Sequence, residues 1–426
     1  MRRASRILLI VCAALLGPVL VAGASAAPTA STSTQATKIT VAYANAATNF
    51  TALFAAKGEG FFEQNGLDVT PFLATGGRGN ALLQSGNAAF NLDSGQPNLT
   101  AIARGSDTVL IGATNNRFGF KLIARKPIAK ISDLRGKKLA LSSPNAAVGT
   151  AGEALLEANG LTTKDVQLVY IASITARLAA LDAGTVDAII LSPPVDSLMK
   201  TGKFNDIYDL RSLRFMLVGI WAQRDYVSKN PETTRAFLRS MTQALQFLGK
   251  PANKAKARTY LAQATGFSDA ASIDEAYNYE ITKIQFEPQI DRVAIVNSNK
   301  AVEKEIGKSA DINGFLWLSP LQRVLTYAVS AKSGAKASLT ATVDPQGNFR
   351  YDLKLAGLGA VTSAALHIGT GGPARAALCR PCKGSQAGTT KAYSALAKAI
   401  KSGNAYLKVS TKAKPLTIRV SATLGT

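Results

Sequence analysis

The sequence predicts an α/β protein of two lobes followed by a small all-β C-terminal domain. Three observations carry that reading. Strand-then-helix units recur between Lys38 and Leu191, and an internal repeat at an offset of 98 residues doubles one of them. Past residue 337 the pattern changes to period-two alternation broken by Gly and Pro turns, as in paired strands. At 426 residues the chain is also too long for a single core.

The N-terminus reads as an export signal. Arg2, Arg3 and Arg6 precede the apolar run 7–21, and Ala24-Ser25-Ala26 offers a cleavage site. The run is short for a membrane span and contains Gly17-Pro18, so residues 1–26 are expected to be removed. Cys12 follows Val11, where lipid attachment requires a small residue, so lipidation is not expected. No later stretch is apolar enough to cross a bilayer, and the mature protein is expected to be soluble, in the periplasm or outside the cell. Residues 27–37, APTASTSTQAT, form a flexible leader. The chain carries a net charge of +22, and residues 331–426 hold 14 basic against 2 acidic groups. That tail suits an anionic surface such as lipid or wall polymer, or is a plain solvated face; it has no nucleic-acid motif.

A first strand is expected over 38–44, then a polar loop, 45–50. Phe50, Leu53 and Phe54 recur at helical spacing until Gly58 and Gly60 end the helix. Phe61 and Phe62 pin a turn, Asn65-Gly66 reverses the chain, and 67–73 is a strand. The repeat follows. Leu83 stands three before Gly86, and Leu181 three before Gly184; strands 88–92 and 186–191 then lead to Ser94 and Ser192. Phe72 corresponds to Tyr170, Ala74 to Ala172 and Thr75 to Ser173. Each helix is expected to end at its Gly, and each Ser to lie at the C-terminal end of a strand, where open α/β sheets bind ligands.

Residues 118–150 divide the lobes. A crossing strand (118–125) and a Pro127 turn precede the helical turn Asp133-Leu134-Arg135-Gly136-Lys137. A buried strand (138–141) then empties into Ser142-Ser143-Pro144-Asn145 ahead of a helix over 148–159. A strand, a polar loop and a helix start aim free N–H groups outward and favour small anions or polar ligands. Strand 166–171 and helix 174–183 continue this lobe. A second crossing, 213–223, returns to the first lobe, and 231–329 is mostly helical. Two crossings between independent cores imply a hinge near 118–121 and 213–223.

Four segments together resemble a known family: GEGFFEQNGLDV, LQSGNAAFNLDSGQP, SDLRGKKLAL and LAALDAGTVDAIILSPP. They are similar to the solute-binding proteins of ABC importers, of the sulfonate/taurine/nitrate and thiamine-precursor type, over roughly residues 38–330. The resemblance implies a two-lobed periplasmic-binding-protein type II fold. Lobe I would span about 38–120 and 215–330, lobe II about 121–214. It also implies an ABC permease in the membrane as partner. Carried over by position, the family's ligand loops place Asn49, Phe50, Gly77, Arg78, Ser94, Gln96, Ser143, Asn145, Thr150, Ser173 and Ser192 around the solute.

Residues 331–337 read as a linker, and 338–426 as a β module. FRYDLKLAGLGAVTSAALHIG and AYLKVSTKAKPLTIRVSATL resemble the CHRD domain. Members of that family carry His pairs where this chain has only His367, and Ser410 stands near a further expected His, so no metal site is expected. His367 is the chain's only histidine, which excludes a Ser–His–Asp triad in the lobes. Cys379 and Cys382 are the only cysteines beyond the signal. Without the βαβ context of a redox motif they are expected to form a local disulfide.

Other residues leave two readings open. Gly76-Gly77-Arg78-Gly79 is no phosphate loop, because Gly-Lys-Ser/Thr does not follow. It either admits a ligand to the backbone with Arg78 pairing an acidic group, or is a plain turn. Phe50 either stacks on a ligand or sits in the core. Asp93 either selects an amine or caps the next helix. The resemblance makes the chain a solute-binding component, not an enzyme, that captures a small anion by hinge closure and needs no cofactor. Pyrimidine (thiamine-precursor) binding or synthesis is a second reading, and an extracellular interaction protein acting through the β domain is a third.

Overall fold

The computed structural model describes residues 35–424, apart from 76, 145, 284–287, 345, 393 and 413–414. The expected signal and nearly all of the leader lie outside the described residues. Ala36–Thr426 forms one compact unit.

Two five-stranded sheets of equivalent order build the lobes. The first runs β2-β1-β3-β10-β4, from β1 (Thr37–Tyr43), β2 (Leu67–Leu73), β3 (Phe90–Asp93), β4 (Thr108–Arg117) and β10 (Arg214–Gln223). The second runs β7-β6-β8-β5-β9, from β5 (Lys121–Arg125), β6 (Lys138–Leu141), β7 (Gln167–Tyr170), β8 (Ala188–Leu191) and β9 (Phe204–Asp209). In each sheet the first three strands are parallel, and the strand entering from the other lobe is antiparallel. The 98-residue repeat therefore has a structural basis: β3 and β8 occupy the same place in their sheets and are buried throughout. Gly86 (φ 73°) and Gly184 (φ 75°) end the preceding helices in the left-handed region, where a side chain would be strained. The repeat partners Phe72 and Tyr170 share a fate too, both exposed on edge strands.

Aromatic residues fill the first lobe. Phe237, on helix Pro231–Leu248, stacks between Phe62 and Phe90 with centroids at 5.7 and 4.3 Å. Phe61–Gln64 is a short helix rather than the expected turn. The expectation of independent lobe cores is corrected in part: each lobe keeps a cluster of its own, around Leu83 and Trp221 in one and around Leu181 and Ile189 in the other, but a third is shared. One hydrophobic cluster runs from Val41, Phe90 and Phe237 through Phe118 and Phe120 to Leu139 and Leu155. At the crossings Phe118 stacks on Phe215 at 4.7 Å, so the hinge is a packed joint rather than two bare strands.

The C-terminal domain is a two-sheet β-sandwich. Its strands are β11 (Tyr327–Ser333), β12 (Ala337–Val343), β13 (Asn348–Leu355), β14 (Val361–Ile368) and β15 (Ala374–Cys379). They continue with β16 (Ser385–Lys391), β17 (Ala405–Thr411), β18 (Leu416–Arg419) and β19 (Ser421–Leu424). One sheet is β16-β13-β12-β11-β19, the other β15-β14-β17-β18. The linker expected at 331–337 does not exist: those residues end β11, turn, and start β12 in a continuous hairpin register. Helix Ser319–Val324, whose Leu321 and Val324 belong to the lobe core, directly precedes β11. Helix Ser394–Lys401, unforeseen from the alternating pattern, buries Leu396, Ala399 and Ile400 against the sandwich. Cys379 and Cys382 are joined, as expected. No helix among the described residues is long and apolar enough to cross a membrane.

Candidate ligand site

Ser94 and Ser192 follow β3 and β8, each at the C-terminal end of its strand. Ser94 opens helix Gly95–Ala103, and its side chain does not cap that helix. Asp93 behind it is no helix cap either; its Oδ1 accepts the Ser94 backbone N–H at 2.6 Å. Burial away from any cation pushes the Asp93 carboxyl up to about 6. The Trp221 indole N–H donates to the Asp93 carbonyl at 3.1 Å, fixing the strand end.

Across the seam, helix Ala147–Ala158 starts in lobe II, again without a side-chain cap. Gly149 lies in its first turn. A Cβ there would fall 1.9 Å from the Ser143 carbonyl oxygen, so Ser143 and Pro144 can pack onto the helix start only over a glycine. The next residue, Thr150, donates its hydroxyl to Gln96 Oε1 from lobe I. Gln96 Nε2 in turn donates to Glu305 Oε2 at 2.8 Å, and Lys304 pairs with Glu153 of lobe II at 3.7 Å. Two uncapped helix starts thus meet across the seam, and helix Arg292–Ile306 ties them together. Uncapped N–H groups with the positive ends of two helix dipoles attract negative charge.

The remaining expected residues are placed differently. Phe50 is only 1% exposed and packs on Tyr43 with centroids at 5.7 Å, inside the core. Gly77 and Arg78 are exposed at the start of helix Arg78–Gln84. Ser173 uses its hydroxyl to cap helix Ile174–Asp182, accepting from Ala176 N–H at 3.3 Å. Asn49 lines a cavity on the hinge side. Ser143 is half-buried in the loop that Gly149 accommodates, and Asn145 lies outside the described residues. The structure therefore brings Gln96 and Thr150 into contact beside Ser94, and leaves Phe50, Arg78 and Ser173 out of that junction.

The helical spacing over 270–281 is borne out as helix Ala270–Tyr279, but its role as a strap between the lobes was not legible. Helix Ala270–Tyr279 sends Glu275 to the backbone N–H groups of Val195 and Asp196, at 2.5 and 2.8 Å. The Tyr279 hydroxyl donates to the Phe120 carbonyl and meets Asp209 Oδ1, both at 3.0 Å. The Arg211 guanidinium lies 3.8 Å from the centre of the Tyr279 ring. Burial alone would raise Asp209, but the Arg211 and Tyr279 hydrogen bonds outweigh it and hold its pKa low. Beside it burial drives Glu280 up to about 7, and its carboxylate accepts Asn115 Nδ2 at 2.6 Å. No local motif marks these residues, because their partners are distant in sequence. Among the described residues no group of three or more metal-ligating side chains exists.

Two sheets of equal order, two crossings and facing helix starts define a two-lobed α/β fold. Residues 47–255 match the family model described as NMT1/THI5 like, and residues 318–417 match the CHRD domain. No curated protein matches the chain by sequence. The periplasmic aliphatic sulphonate binding protein SsuA from Escherichia coli superposes with a TM-score of 0.57 at 20% identity, over 66% of this chain and 92% of its own. The alkanesulfonate-binding protein SsuA from Xanthomonas axonopodis pv. citri, bound to MOPS, gives 0.53 at 19%, over 67% and 99%. A Candida albicans protein with the generic periplasmic binding protein fold gives 0.51 at 15%, over 66% and 96%. At these identities the likeness is one of fold. The chain carries an NMT1/THI5-like domain with the periplasmic-binding-protein fold and a C-terminal CHRD domain.

Proposed function

We propose that the protein is the extracytoplasmic solute-binding component of an ABC importer. It captures a small anion, of the sulfonate class, between its lobes and delivers it to a membrane permease. The observation that carries this reading is the meeting of two uncapped helix starts across the interlobe seam, Gln96 against Thr150, beside the repeat serine Ser94. Such an arrangement offers N–H donors from both walls to one anion. The sulfonate-binding proteins of like fold support the choice of anion. The role is binding rather than catalysis: the only histidine, His367, lies in the β domain with Nδ1 2.7 Å from the Gly372 carbonyl oxygen.

Calorimetric titration of the exported protein with taurine, short alkanesulfonates and nitrate tests the reading. One of these should bind. Ser94→Ala and Ser192→Ala should each weaken binding, by up to ~100-fold if the hydroxyl meets a charged oxygen. The melting temperature of the empty protein should not fall. Full affinity in both variants would move the solute away from the seam.

A further inference from the structure

The interlobe seam leaves one large feature unused. A cavity of about 1340 Å³ lies between the hinge and the β domain. One wall is Thr114–Arg117 of β4 with the end of helix Pro231–Leu248; the other is helix Ser394–Lys401 of the β domain. None of Ser94, Gln96, Thr150 and Ser192 lines it, so it is separate from the seam.

We propose that this cavity is a second ligand site, for a soluble anion bearing several charges, such as a short chain of phosphate or sulfate groups. Among the described residues, eight Lys and Arg side chains line it against Glu280 and Asp291. Asp291 is held by Arg214, whose Nε donates to it at 2.7 Å, and Arg211 is paired with Asp209 outside the lining, so the excess rests on the other lysines and arginines. The cations converge from separate parts of the chain. Arg117, Arg211 and Arg214 flank the crossings, Lys250 follows helix Pro231–Leu248, and Lys398 and Lys401 come from the β domain. Like charges gathered around one space repel each other, and a bound polyanion relieves that repulsion.

A second observation points the same way without relying on charge. Thr114 faces this cavity, is 3% exposed, and its hydroxyl has no hydrogen-bond partner. A buried hydroxyl normally has one, and a ligand oxygen would supply it. The volume exceeds the usual range for a small-molecule site, roughly 300–1,000 Å³, and is far too large for taurine. That size selects an extended polyanion over a single sulfonate.

Calorimetric titration of the full exported chain with sodium tripolyphosphate, in buffer of physiological salt, provides the test. Saturable binding with a stoichiometry of one is expected, and taurine should not displace it. Thr114→Val removes the unpartnered hydroxyl while keeping the side chain's shape, and should weaken tripolyphosphate by about threefold to tenfold. Lys250→Gln, on an exposed residue, should weaken it similarly, and neither change should lower the melting temperature of the free protein. No saturable heat, wild-type affinity in both variants, or displacement by taurine would each overturn the proposal. So would binding confined to long-chain polyphosphate and unaffected by Thr114→Val, because that is attraction to a basic surface. Loss of taurine binding with intact tripolyphosphate binding would instead count against the seam alone.

Discussion

Asp93 and Glu280 are acids that folding holds away from water. Burial pushes the Asp93 carboxyl up to about 6 and the Glu280 carboxyl up to about 7, well above the usual carboxylate range. Between the unfolded and folded pKa values the native chain binds more protons than the unfolded one. Stability from these groups is therefore whole below about pH 4 and is lost as pH rises through 6 and 7. Asp93→Asn should remove the first loss, because Asn can still accept the Ser94 N–H. We expect it to stabilise the protein at pH 8 by on the order of 2 kcal/mol, with little gain at pH 4. Thermal melts of both proteins across that range provide the check; equal melting temperatures at pH 8 would contradict the assignment.

At the scale of elements, contact across the lobe seam rests on a few side chains at helix starts. The Thr150 hydroxyl and the Gln96 amide oxygen are buried together, so removing the hydroxyl leaves that oxygen without this partner while the lobes touch. Thr150→Val should therefore shift the lobes toward an open arrangement, visible as a larger radius of gyration in solution scattering without solute. An unchanged profile would show that the strap helix Ala270–Tyr279 alone holds the lobes. The Cys379–Cys382 bridge is an element of the β domain only, with a sequence separation of 3. Such a short loop restricts the unfolded chain less than a 15-residue loop worth ~3 kcal/mol. Reduction should lower the β-domain transition by less than that and leave the lobes untouched.

The whole molecule has fewer independent parts than its strand pattern suggests. One hydrophobic cluster spans both lobes through the Phe118–Phe215 stack, while the sandwich keeps a cluster of its own. Differential calorimetry should accordingly resolve two transitions, one for both lobes and one for the β domain. Three transitions would mean that the packed joint does not couple the lobes. The two units still touch: Gln246 donates to the Tyr327 hydroxyl, and the Lys401 amine sits 4.8 Å from the centre of the Tyr327 ring. The β domain is thus seated beside the hinge, with its basic helix facing the crossings.

By itself the sequence determined what depends on neighbours along the chain. The strand at 67–73, the glycine-ended helices, the repeat that puts Ser94 and Ser192 at matching strand ends, and the Cys379–Cys382 pair were all legible, because alternation, helical spacing and turn chemistry act within a few residues. Only the tertiary structure decided what joins distant segments. Thr150 and Gln96 are 54 residues apart and Gln96 and Glu305 are 209 apart, with no local signal at either end. Phe50 had helical spacing suited to core or ligand alike, and only its neighbour Tyr43 and its burial settled the matter. AKSGAKA was polar and small enough to pass for a linker, yet strand pairing with 327–333 absorbs it into a hairpin. Local pattern sets which elements form; burial and hydrogen bonding between remote residues set which of their side chains meet.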